Sequence, residues 1–92
     1  MSYLVVDQTV ESIDRWIAAF SAATERRKDA GGELVMALND PARPGRLLVI
    51  VKFDSPEHAL AWRDRPGVDH EIAQVGVVPG SVTVRVLEQL PV

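Results

Sequence analysis

Two histidines, two tryptophans, and an arginine and an aspartate in strand-like runs are the side chains of this chain best equipped for chemistry. His70 comes just after Pro66-Gly67 with Asp69 and Glu71 beside it, in a segment placed to rim a pocket. An imidazole titrating near neutrality is the usual general base, although a solvated turn histidine fits the same residues. His58 falls in the first turn of an expected helix beside Glu57, where it is either an exposed polar residue or a neutral imidazole lent to a site. Trp16 and Trp62 read as core or pocket wall, since a ring of that size usually packs. Arg85 interrupts an apolar strand. Facing outward it is an ordinary edge charge; turned inward it needs a carboxylate, and Asp7 or Glu88 would serve. An inward Asp7–Arg85 pair would either fix how two subunits meet or anchor an acidic or phenolic substrate.

Other chemistries lack their residues. There is no cysteine, which removes disulfides, thiolate nucleophiles and zinc–cysteine sites. Two histidines twelve positions apart across a proline make a poor metal site, and no metal is expected. No phosphate-binding glycine loop, nucleophile elbow or RNA-binding strand aromatics occur. A net charge of −3 gives no electrostatic footprint for nucleic acid. The opening MSYLVVDQTV lacks a basic leader and its apolar run is short for a membrane span, so a cytoplasmic protein without membrane contact is expected.

The elements that must position these residues are best marked between Arg46 and Pro66. Leu47 to Val51 is a continuous apolar run with three β-branched members, which reads as a strand covered on both faces. Ser55 then caps a helix, Pro56 fits its first position and Glu57 favours its positive end. That helix should turn Ala59, Leu60 and Trp62 inward and end at Pro66-Gly67. Upstream, Tyr3 to Val6 is a first strand, followed by Thr9 as the cap of one long amphipathic helix over residues 10–29. Its buried face holds Val10, Ile13, Trp16, Ile17, Phe20 and Thr24; Arg26-Arg27-Lys28 complement the dipole of its last turn, and Gly31-Gly32 stop it. Glu33 to Leu38 is a second strand with Leu34, Met36 and Leu38 on one face, joined by a turn-rich loop to the strand at 46–53. Val68 to Gln74 is loosely helical, and Ser81 to Leu87 alternates as a fourth strand.

The order is β-α-β-β-α-β over residues 1–92, a single ferredoxin-like α+β domain: a four-stranded antiparallel sheet with two helices on one face. At 92 residues, with 47% of them apolar, burial of roughly 60–65% of the unfolded surface is the ceiling. The second sheet face is nevertheless rich in apolar side chains. A second copy of the sheet is the economical cover, which gives a homodimer closed into an α+β barrel.

The element order and the pattern F-D-S-P-E-H-A-L-A-W-x-x-x-P at 53–66 resemble the dimeric α+β barrel superfamily, in particular its antibiotic biosynthesis monooxygenase-like group. The resemblance implies a small aromatic or polyketide-like ligand and a cofactor-independent monooxygenase or cyclase, with His70, Trp62, Arg85 and Asp7 as catalytic candidates. Tyr3, Trp16 and His58 are the corresponding substrate contacts. In the haem-degrading branch a tryptophan, a histidine and a first-strand asparagine act together. Trp62 matches the first, His70 comes two residues early, and Asp7 replaces the asparagine. The alternative is a non-catalytic dimeric ligand-binding or structural module, favoured by how few polar groups converge anywhere.

Overall fold

The computed structural model describes all residues from Met1 to Val92. In chain order the elements are β1 (Ser2–Thr9), α1 (Ile13–Ala22), α2 (Thr24–Asp29), β2 (Gly32–Asn39), β3 (Arg46–Phe53), α3 (Pro56–Arg63), α4 (Val68–Gln74) and β4 (Thr83–Glu88). The strands form one antiparallel sheet in the order β2-β3-β1-β4, the ferredoxin-like arrangement expected from the sequence, with each of its two helices divided in two.

The sheet's two faces differ. Along β3, Leu47, Val49, Val51 and Phe53 are each at most 3% exposed, whereas Arg46, Leu48, Ile50 and Lys52 are only half-buried. The continuous apolar run therefore behaves as an alternating strand within one chain, and the expected cover on both faces is present on one. Cross-strand partners share a face, so Leu4, Val6 and Gln8 of β1 and Val84 and Val86 of β4 join the buried side. Helix α3 lies over β1, β3 and β4, with Ala59 fully buried, and α2 lies over β2.

The segment 10–29 departs most from expectation. Thr9 remains in β1, and Val10 forms an isolated bridge with Val77. The helix cap falls to Ser12, whose hydroxyl accepts from the Arg15 N–H at 3.2 Å. The helix then breaks at Ala23. There the Phe20 carbonyl accepts from the Ala23 N–H at 3.2 Å, a tightened turn, while the Thr24 hydroxyl donates to the Ser21 carbonyl at 2.7 Å. A hydroxyl that takes a backbone carbonyl competes with the helical ladder, and here it stabilises the junction. Ile17 ends up 49% exposed and Leu60 39% exposed, so neither joins the core to which the periodicity assigned it.

Two other features shape the sheet. The β2–β3 register shifts between Leu34 and Met36, placing Leu34 beside Val51 on the helix face but Met36 and Leu38 beside Ile50 and Leu48 on the opposite one. A bulge inserts one unpaired residue, so the three no longer share a face as strict alternation predicted. Gly45 ends the hairpin loop at φ 86°, and a Cβ there would lie 2.5 Å from the Val10 carbonyl oxygen.

Candidate functional site

Between the helix-covered face of the sheet and the helices lies an open cavity of about 830 Å³. The sheet supplies its floor with Leu4, Val6, Gln8, Val49, Val51 and Val84, and Val82, just before β4, extends it. Trp16, Phe20, Arg26 and Arg27 from α1 and α2 form one wall, and Trp62, Arg65, His70, Glu71 and Ile72 from the α3–α4 segment form the other. That volume falls in the range of sites for ligands of drug size, which lie between about 300 and 1,000 Å³. The lining is largely apolar with a few polar groups, the composition such sites share.

The rings are held in place by their neighbours. Trp16 is 7% exposed and stacks on Phe20 with centroids 4.8 Å apart. Trp62 is half-buried, with the Arg65 guanidinium 4.0 Å from its ring centroid and that of Arg26 at 5.6 Å. Glu71 of α4 accepts from both Arg26 of α2 and Arg65, and Arg65 also donates to the Trp62 carbonyl at 2.8 Å. One carboxylate thus ties the two walls together beside the tryptophan. Burial pushes the Glu71 carboxyl up, but the hydrogen bonds from Arg26 and Arg65 together hold it below its ordinary value.

Two polar side chains are buried deeper. Arg27 is 4% exposed and lies with its guanidinium 3.7 Å from the Phe20 centroid. It donates to the Phe20 carbonyl at 3.3 Å and to the Thr24 hydroxyl at 3.4 Å, and no carboxylate reaches it. Burial first, and then the like charges of Arg26 and Arg65, lower its pKa. Gln8 is 6% exposed as a residue, and its amide, which bonds no other protein group, reaches the open space of the cavity.

Of the residues singled out from the sequence, Trp16, Trp62 and His70 line this cavity. His70 is exposed at the rim, and no side chain or backbone group holds its ring. Tyr3, Asp7 and Arg85 lie on the opposite face of the sheet, alternating with the strand residues that form the floor. The Asp7–Arg85 pair is replaced by an Asp7–Arg46 pair, in which Arg46 donates at 3.2 and 3.1 Å. That contact, with a smaller contribution from Arg85, holds the Asp7 carboxyl below its ordinary value. Arg46 and Arg85 are each one same-face step from Asp7, level with Thr9 and Val5 respectively, and the Asp7 carboxylate turns to Arg46. Tyr3 donates to Gln89 at 2.9 Å, and His58 pairs with Asp54 at the exposed start of α3, away from the cavity lining.

Arg27, Gln8 and the Arg26–Glu71–Arg65 cluster were not found by sequence reasoning. A signal for Arg27 was present: Phe20, Thr24 and Arg27 fall at helical spacing on the stripe assigned to the core.

Comparison with known proteins places this architecture. No protein-family model and no curated protein matches the chain. Among solved structures, a proposed antibiotic biosynthesis monooxygenase from Bordetella bronchiseptica superposes with a TM-score of 0.74 at 13% identity, covering 97% of this chain and 96% of that one. A second such protein, from Deinococcus radiodurans, gives 0.63 at 14% identity over 100% and 95% of the two chains. Rv0793 from Mycobacterium tuberculosis gives 0.60 at 22% identity over 98% and 96%. At these identities the likeness establishes the fold, which is that of antibiotic biosynthesis monooxygenase-like proteins.

Proposed function

We propose, from the fold shared with antibiotic biosynthesis monooxygenase-like proteins, that this chain is a homodimeric small-molecule-binding protein. Its ligand is an aromatic or polyketide-like compound bound between sheet and helices, and its activity a cofactor-independent oxygenation or cyclisation. The cavity of about 830 Å³ carries the reading: it has an apolar floor, aromatic walls and buried polar groups opening onto it.

In the oxygenase form the substrate is its own reductant. A ring CH₂ flanked by ionisable phenols loses both hydrogens to dioxygen; one oxygen atom remains as a carbonyl and the other leaves as water. The protein's part is to hold the planar compound between Trp16 and Trp62, exclude bulk water, and remove a proton. His70, at the rim, is a candidate base on this wall, with Asp69 beside it. The absence of any group orienting its imidazole favours a second reading, a binding module without catalysis.

The homodimer is proposed for the other sheet face. Val5, Leu48, Ile50, Met36, Leu38 and Leu87 share it, and the last three are 41–50% exposed. A second copy would cover these side chains and bring Tyr3, Asp7 and Arg85 into the interface. Light scattering should give twice the 10.1 kDa chain mass at micromolar concentration, and Ile50→Asp should return it to one. For the site, anthrone-type compounds should shift the amide resonances of Trp62 and Ile72 and consume dioxygen. Shifts without oxygen consumption would select the binding module, and an absence of shifts would remove the cavity as the site.

A further inference from the structure

We propose that the ligand carries a carboxylate, received by the Arg27 guanidinium in the cavity wall. The inference rests on the cavity being the ligand site, and it narrows the ligand to an aromatic or polyketide-like acid.

Arg27 is the best-buried charge in the protein and lacks a counterion. Its contacts at 3.3–3.4 Å are long beside the roughly 2.7–2.9 Å of charge-assisted bonds. Of the carboxylates that line the cavity, Glu71 pairs with Arg26 and Arg65 and Asp64 with Arg63, while Asp69, exposed on α4, makes no ion pair and does not reach Arg27. An arginine cannot escape burial by losing its proton under ordinary conditions, so the charge stays and is compensated only by a carbonyl, a hydroxyl and a ring face. A buried ion without its partner is strongly unfavourable, and a ligand carboxylate would supply that partner. The guanidinium fork is rigid and matches a carboxylate with two parallel bonds.

The surroundings are arranged to hold that fork. Gly32 lies under the Arg27 stem, and a Cβ there would stand 3.1 Å from Arg27 Cγ. The Phe20 ring backs the guanidinium plane.

The test compares 2-naphthoate with 2-naphthamide, the same ring system with and without the charge, at pH 7 on the full chain. Binding is followed by two-dimensional NMR and calorimetry. The wild type should hold the acid at least about tenfold more tightly than the amide, roughly what one charge-assisted pair contributes. Arg27→Met should erase that preference while leaving amide binding in place, and Arg27→Lys should keep part of it. Should Arg27→Met fail to fold, Arg27→Gln, which keeps a donor without the charge, carries the comparison. Equal affinity for acid and amide in the wild type, or a preference surviving Arg27→Met, overturns the carboxylate while leaving the cavity as a site. Failure of both probes to perturb the cavity resonances overturns both.

Discussion

Replacing Gly32 by alanine should destabilise the fold, and the structure sets the size of the effect. Gly32 does not adopt a positive φ, so alanine is conformationally acceptable there. The added methyl, however, would lie 2.8 Å from Phe53 Cε1 and Cζ. Phe53 is 1% exposed and cannot swing away as a surface side chain would. Overpacking of this kind costs about 1–3 kcal/mol. The less flexible unfolded chain returns about 0.4–1 kcal/mol of that. The middle of these ranges is a net loss of about 1.3 kcal/mol, which corresponds to roughly 5–10 °C in melting temperature for a domain of this size. Urea unfolding followed by circular dichroism would measure it, with the midpoint falling and the slope unchanged. Phe53→Leu should cost less in the Gly32→Ala background than in the wild type, because the smaller side chain relieves the contact. A variant as stable as the wild type, or additive behaviour in that cycle, would refute the steric argument.

Two further outcomes are expected. Glu71 is held below its ordinary carboxyl value of 4.5, so its contribution is complete above that pH and is lost as pH falls through the lower folded value. Glu71→Gln should therefore flatten part of the acid limb of a stability–pH curve, the rest belonging to Asp7 and Asp64, which are also held low by Arg46 and Arg63. Ser55→Ala should lower stability by about 1 kcal/mol, because the Ser55 hydroxyl accepts from the His58 N–H at 3.1 Å; chemical unfolding would show it, and an unchanged midpoint would argue against that cap.

What could be read from the sequence was local and redundantly marked. The β3–α3 stretch has a β-branched run, a serine cap, a proline at the first helical position and a glycine beyond the end, and its boundaries match the structure closely. The 10–29 segment carries a clean helical stripe without proline or glycine, so nothing local announces the break at Ala23. That break depends on a hydroxyl and a guanidinium reaching back to carbonyls of the preceding turn. The bulge in β2 is equally silent, since GELVMALN alternates acceptably in either register until β3 chooses one. The site follows the same division. Trp16, Trp62 and His70 were visible as residue types at rim or wall positions. Arg27 was hidden among three basic residues at a helix end, where solvation is the ordinary expectation. Asp7 and Arg85 were assigned by pairing chemistry, whereas the strand register decided which face they occupied.

The irregularity in β2 also bears on how the protein stays dispersed. This strand is an outer edge of the sheet, and Leu34, Val35, Met36 and Leu38 along it are all 43–50% exposed. A straight edge of that composition would be a template for unprogrammed strand addition and fibril growth. Bending and twisting the strand at its middle spoils the flat run of backbone donors and acceptors that a foreign strand would need. Straightening it by deleting Val35 would restore regular pairing with β3 and, with it, an adhesive border.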